Sequence, residues 1–296
     1  MVSVVIATFR REESLANALE SLVNQTYKDF EVVIVDDNAD ALWNKKVEII
    51  VESFKSKLQI NYIQNTSNQG SAKTRNIGID IAKGEFVTFL DDDDLYLPQK
   101  IEAQVKQMTD YDADYSLMNL SLYNEDETLS EIRKRDYLLT SETNDLVLCH
   151  LKYHMTGTDT MMFKKTYLVS FGGFEAIDVG DEFYLMMKAI EHNGRFVYCD
   201  ACEVKAYVHT GEGGLSSGRQ KIDGEKRLYS FKKQYFQRIK AKDRRYIKMR
   251  HFAVIAFAYK RIHKAIHFLF YGCCSFFVSP FQSMQLLKTI KRYSKE

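Results

Sequence analysis

Phe86-Val87-Thr88-Phe89-Leu90-Asp91-Asp92-Asp93-Asp94 is the stretch on which the fold of this chain turns. Its first half is apolar and reads as a buried strand. The four carboxylates then stand where that strand leaves its sheet. Burying one unpaired carboxylate is costly, and four together repel one another. Two readings are open at this point: an acidic turn bathed in solvent, or a site where a divalent cation carrying phosphates neutralises the charge. In open α/β sheets the ligand crevice lies at the carboxyl ends of the strands, which is where this run falls.

The residues before it alternate between strand and helix signals. Val2 to Ala7 is a β-branched run. Leu15, Ala18, Leu19 and Leu22 give helical spacing over Glu12 to Asn24. Phe30 to Val35 predicts a second strand, Trp43 to Phe54 a helix, and Ile60 to Ile63 a short strand. Ser71 to Ala82 predicts a helix introduced by Asn68-Gln69-Gly70. Such alternation predicts a mostly parallel sheet with helices on both faces. Pro98 is placed to open a helix at its first turn. Tyr115 to Tyr123 alternates as one strand, and Asn124 to Arg135 reads as a polar loop. Phe171-Gly172-Gly173-Phe174 marks a turn. Gly180-Asp181-Glu182 opens a helix that stops at Asn193-Gly194. Gly211 to Gly218, with four glycines and two serines, reads as a lid loop.

Charge is distributed unevenly. The net charge is +1, yet residues 231–296 hold 16 Lys/Arg against 2 Asp/Glu, leaving 25 against 38 in the rest. An acidic body with a basic tail implies two surfaces with different partners. Ala265 to Leu287 carries no formal charge over 23 residues, nominally enough to span a bilayer. Its interruptions (Gly272, Ser275, Ser279, Pro280, Gln282, Ser283) favour a basic amphipathic segment lying in the membrane interface, with packed helices and a true span as the other readings. The five cysteines do not form a disulfide framework, and Cys199-Asp200-Ala201-Cys202 lacks a second ligand pair for zinc, so it is read as structural. No signal peptide precedes Val2. A cytoplasmic protein peripheral to the inner face of the membrane is expected.

Four blocks occur in order: Val2 to Phe9; Val33-Ile34-Val35-Asp36-Asp37-Asn38; Asn68-Gln69-Gly70-x-Ala72-x-x-Arg75-Asn76-x-Gly78; and Phe89 to Asp94 with Pro98. With them the chain, over residues 2–210, resembles the family 2 glycosyltransferases of the GT-A fold, of the bacterial surface-polysaccharide type. The resemblance implies residues 1–220 as the catalytic domain, with 1–110 the nucleotide half and 111–220 the acceptor half. The remainder, 221–296, is then a basic, aromatic helical tail.

The resemblance also implies roles. Thr8 and Phe9 would contact the donor, Phe9 against a base face; ordinary core filling is its other reading. Asp37 would accept a ring N–H or, more plainly, cap the next turn. Arg75 would lie beside the nucleotide or serve as a salt-bridge partner. Asp91-x-Asp93 matches the DxD motif: Asp93 would ligate Mn²⁺ or Mg²⁺ and Asp91 face the ribose. Asp94 is supporting. Asp92 fills the variable slot, counted among the donor residues but also readable as a solvated spacer. Glu182 aligns with the general base when Leu185 and Lys188 anchor the helix, and Asp181 is the second candidate. Both acids could instead only complement the helix dipole. His209 would close over the diphosphate and ligate the metal, or serve structurally. Lys221, Lys226 and Arg227 are further phosphate candidates.

The expected activity is inverting transfer of a sugar from a nucleotide-diphosphate donor, UDP-linked by preference, to a saccharide or lipid-linked saccharide hydroxyl. A sugar-1-phosphate nucleotidyltransferase would carry a glycine-rich Arg/Lys signature near its N-terminus, which residues 2–12 lack. The competing class is a nucleic-acid- or membrane-binding protein with a degenerate domain of this kind, using the basic tail. The acidic body argues against nucleic acid.

Overall fold

The computed structural model describes residues 1–177, 179–208 and 218–293. The chain divides into two compact units. The first takes residues 1–147, 155–177 and 181–208; the second takes residues 148–154 and 179–180 with the C-terminal helices.

Strands and helices alternate through the first unit as the residue pattern predicts. The order is β1 (Val2–Thr8), α1 (Glu12–Val23), β2 (Phe30–Asp36), α2 (Ala41–Phe54), β3 (Ile60–Gln64), α3 (Ser71–Ile81), β4 (Phe86–Phe89), β5 (Leu95–Tyr96) and α4 (Lys100–Asp110). Then follow β6 (Tyr115–Met118), β7 (Leu120–Asn124), β8 (Leu129–Arg133), α5 (Thr143–Tyr153), β9 (Met161–Lys164), α6 (Lys165–Ser170), α7 (Asp181–Glu191), β10 (Phe196–Cys199) and β11 (Val204–Val208). A short 3₁₀ turn, Thr158–Thr160, leads into β9.

Among the described residues the strands form two sheets. The larger has the order β10-β6-β9-β4-β1-β2-β3 and the smaller β5-β11-β7-β8. In the larger sheet β1, β2, β3 and β4 are parallel, as are β6 and β10. β9 alone runs against its neighbours β4 and β6. Alternation along β1 buries both faces. Val2, Val4 and Ile6 pack with Leu15, Leu19, Val47 and Ile101 from α1, α2 and α4. On the opposite face Val5 meets α3 at Gly78, where an added Cβ would stand 2.4 Å from a Val5 methyl. Only glycine allows α3 that close to the sheet.

Three local expectations are corrected. Pro98 does not open α4; Gln99 is the N-cap, and the Pro98 carbonyl accepts from the Thr26 N–H at 2.9 Å. Residues 115–123 are not one strand. The chain breaks at buried Asn119, whose side chain accepts from Arg135 N–H (3.0 Å) and Tyr198 O–H (2.7 Å) and donates to Asp200 (2.9 Å). That break sends β6 and β7 into different sheets. The polar stretch 124–135 contains β8, hairpinned onto β7.

The second unit contains α8 (Gly218–Lys233), α9 (Ala241–Arg261), α10 (Ala265–Val278) and α11 (Pro280–Tyr293). Inside it Glu225 pairs with His251 at 3.1 Å, and the His251 ring stacks on Tyr229 with centroids 4.1 Å apart. Asp243 meets Lys152 at 3.2 Å. The uncharged stretch 265–287 is cut at Ser279, because Pro280 cannot donate to the preceding turn. No helix among the described residues is long and apolar enough to cross a membrane.

Candidate active site

The acidic run sits at the carboxyl end of β4, as its sequence implies, but its four members have unlike surroundings. Asp91 is partly exposed, and its carboxylate accepts from Arg75 Nη2 at 2.6 Å. Its own N–H donates to Asp159 Oδ1 at 2.6 Å. Asp92 is buried, so it is not a solvated spacer. Its carboxylate accepts from the Phe9 N–H and from Arg11 Nη1, each at 3.2 Å. Asp93 pairs with the same guanidinium, so Arg11 serves as a countercharge for two members of the run. Asp94 is buried and accepts from the Tyr207 N–H on β11 at 2.9 Å.

Asp159, in the 3₁₀ turn ahead of β9, is the residue that sequence reading missed. It is 3% exposed. Its carboxylate oxygens and those of Asp91 and Asp94 supply three ligand atoms within 4.8 Å of one another. Burial, then the charge of Asp91, pushes Asp159 up to about 7. Asp94 is raised by burial and by Asp159. Burial and Asp93 push Asp92 up to about 7, against the opposing pull of Arg11. Three carboxylates with oxygens this close, two of them buried, are the donor set a hard divalent cation would satisfy. The residues therefore fit Mg²⁺ or Mn²⁺ at Asp91, Asp94 and Asp159. The sequence signal was slight: an acid abutting the apolar run Met161-Met162-Phe163, the mirror of Asp91 after β4.

Beneath this cluster lies a polar stack. Lys100 is wholly buried, donating to Tyr96 Oη at 2.8 Å and to Thr88 Oγ1. Burial holds its amine well below the ordinary lysine range. Thr88 in turn donates to the Met161 carbonyl at 2.7 Å, tying β4 to β9.

Arg75, on α3, is the hinge of the site. Besides Asp91 it meets Asp181 at 2.8 Å, and its guanidinium lies 5.5 Å from the centre of the Phe174 ring. Asp181, at the first turn of α7, is buried and pushed up to about 7 by burial, although Arg75 pulls it down. Glu182 is less buried than Asp181, and its N–H donates to the Asp181 carboxylate at 3.0 Å. Asn76 clamps the Phe171–Phe174 turn by donating to the Phe174 carbonyl (2.8 Å) and accepting its N–H (2.9 Å). Lys188 on α7 reaches the same turn, donating to the Gly173 carbonyl at 2.9 Å.

The remaining candidates occupy the ends of β1 and β2. Thr8 is buried, and its carbonyl accepts from the Asp37 N–H at 2.9 Å. Phe9 is 44% exposed, which removes core filling as its role. The Asp37 carboxylate accepts from Asn65 Nδ2 (2.7 Å), the Gln69 N–H (2.8 Å) and the Gly70 N–H (2.9 Å). Gly70 holds φ at +79°, a left-handed turn that presents its N–H to this acid. Asp37 thus shapes the 65–70 loop, with about one of its four acceptor positions to spare. His209 and residues 211–217 of the expected 211–218 loop lie outside the described residues, and Gly218 begins α8.

A sequence model for glycosyl transferase family 2 matches residues 3–169. An uncharacterised glycosyltransferase of Methanocaldococcus jannaschii is 30% identical over 236 residues, covering 78% of this chain and 77% of that one. Two solved structures share the fold. S. aureus TarS in complex with UDP-GlcNAc superposes with a TM-score of 0.61 at 18% identity, over 90% of this chain and 89% of that one. The mannosyltransferase PcManGT from Pyrobaculum calidifontis, in complex with GDP-Man and Mn²⁺, gives 0.62 at 19% identity, over 99% and 84%. With its α/β sheet, its acids at the end of β4 and a family match across more than half its length, the chain belongs to glycosyl transferase family 2.

Proposed function

We propose that this protein moves a sugar, with inversion, from a UDP-sugar to an acceptor hydroxyl, and that it depends on a divalent metal. The observation that carries the reading is the convergence of Asp91, Asp94 and Asp159 beside Arg75. Mn²⁺ or Mg²⁺ held by those three carboxylates would neutralise the donor diphosphate as it leaves. Phe9, exposed at the end of β1, offers a ring face to the base, and Asp37 offers its spare acceptor position. Thr8 and Asp92 set the floor between them, and Asp93 stays on Arg11.

Glu182 takes the acceptor proton. It is the more accessible of the two acids at the start of α7. The deprotonated oxygen attacks the anomeric carbon opposite the diphosphate, so a single displacement inverts the centre. The donors named for the two neighbours, UDP-GlcNAc and GDP-Man, support a nucleotide-sugar but divide on the base. A saccharide or lipid-linked saccharide in polysaccharide or glycolipid assembly is the acceptor class, met at an anionic membrane face through the basic C-terminal segment. His209 is proposed as a further group at the diphosphate.

A thermal-shift screen of UDP-, GDP- and dTDP-sugars with Mn²⁺ tests the reading. Stabilisation by UDP-sugars that requires the metal is expected. Stabilisation by GDP-sugars alone reassigns the donor, and no response to any of them overturns the function.

A further inference from the structure

We propose that the outer face of α10 with the start of α11 is a docking surface for an anionic phospholipid bilayer, lying along the headgroup–acyl boundary. The inference rests on the membrane location proposed above and deepens it, but it does not depend on the sugar chemistry. α10 has two unlike sides. Its inner side packs on α9: Phe268 against Phe257, Tyr271 against Tyr259 and Phe252, and Ser275 donating to the Met249 carbonyl at 3.0 Å. Its outer side carries Ile266, Leu269, Phe270 and Phe277 at helical spacing, and the start of α11 adds the exposed Phe281 and Met284. Ile266, Phe277 and Phe281 are 81%, 79% and 72% exposed. Large apolar side chains this exposed, repeated on one side of a helix, mark an interaction surface.

Charge identifies the partner. Lys260, Arg261 and Lys264 are all exposed at the α9–α10 corner, and no acid occurs between residues 244 and 295. A basic corner at one end of an apolar, phenylalanine-rich face complements anionic headgroups over acyl chains. A second copy of this chain fits poorly. A two-fold contact sets the same patch against itself, and this patch has no acid to pair the duplicated cations. Spanning is excluded by length. The 14 residues of α10 rise about 21 Å against a hydrocarbon core of about 30 Å.

The test is flotation of the full chain with vesicles of phosphatidylglycerol in phosphatidylcholine, and with phosphatidylcholine alone. Binding to the anionic vesicles is expected, weakening as salt is raised. The triple variant Phe270→Ser, Phe277→Ser, Phe281→Ser should bind about tenfold less or weaker. Lys260→Gln, Arg261→Gln, Lys264→Gln should lose the preference for anionic lipid. These residues are exposed, so circular dichroism should be unchanged. A Phe277→Trp probe in a Trp43→Phe background should shift its emission to the blue on anionic vesicles. Equal binding to neutral vesicles, or undiminished binding of the phenylalanine variant, overturns the proposal. A wild-type dimer that this variant dissociates, with no vesicle binding, overturns it in favour of self-association. Calorimetry with UDP-sugars on the same samples keeps a failure here distinct from a failure of the enzyme assignment.

Discussion

Arg75 and Asp181, 106 residues apart in the chain, meet at 2.8 Å with both side chains buried. Because Arg75 also holds Asp91 at 2.6 Å, one guanidinium joins the acidic run to the first turn of α7. Removing it leaves two carboxylates facing each other without their cation. Arg75→Met should cost about 3–5 kcal/mol of stability, the range for breaking a buried pair. The loss should exceed that of Arg75→Lys in urea titrations and should grow as pH rises. Asp181 already titrates near 7 in the fold, so without Arg75 its charged form becomes the liability. A loss that does not vary with pH would show that the pair carries little electrostatic weight.

Asp159→Asn should separate stability from metal binding. It deletes one of three mutually repelling carboxylates, so the metal-free protein should melt higher than wild type. It also deletes a proposed ligand, so the Mn²⁺-induced rise in Tm should largely vanish and metal-dependent UDP affinity fall at least about tenfold. Asp93→Ala is the comparison, because Asp93 is paired with Arg11. It should keep most of the Mn²⁺ response. Isothermal titration of UDP with and without Mn²⁺ reads both, and a reversed pattern would return the metal to Asp93.

Glu182→Gln should bind the donor normally and lose transfer by about 10²–10⁴-fold. Asp181→Asn should instead disturb Arg75 and lower Tm. If Asp181→Asn abolishes transfer while Glu182→Gln stays active, the base is Asp181.

Stability should depend on pH in a defined direction. Asp92, Asp159 and Asp181 titrate near 7, chiefly through burial, where the ordinary value is 3.8. Between about pH 4 and about pH 7 the folded state therefore holds more protons than the unfolded chain, and stability falls as pH rises through that window. Scanning calorimetry of the metal-free protein should show Tm declining over this range. Mn²⁺ should restore the share carried by Asp159 at the alkaline end and little at the acid end, where protons compete for the ligands, leaving the share of Asp92 and Asp181 in place.

Gly78→Ala should cost about 1–3 kcal/mol through overpacking against Val5. Urea unfolding reads it directly. A smaller cost would mean that α3 can lift from β1.

The nucleotide half was legible because its signals are local. β1, β2 and β4 are apolar runs, α1 and α2 repeat at helical spacing, and Gly70 and Gly78 mark places where the backbone must turn or approach closely. The acceptor half was less so. β8 lies on the margin of the small sheet, largely exposed, and so lacks the alternation that marks a half-buried strand. α5 had no distinct pattern. Asp159 is a single acid in Gly157-Thr158-Asp159-Thr160, and its burial and neighbours exist only once β9 is folded between β4 and β6. Arg75 reads as a nucleotide neighbour or a salt-bridge partner, but its pairing with Asp181 spans a separation that no local pattern encodes.

The reversed direction of β9 has a consequence for how such a site can be composed. In a wholly parallel sheet, the rim that gathers ligands is supplied by segments that follow strands. A strand of opposite polarity delivers its preceding segment to that same rim, and here it delivers Asp159 to Asp91. Two unlike stretches of chain, one leaving the sheet and one entering it, thus write the same cluster. The entering stretch can be rewritten without touching the helices that brace the donor half.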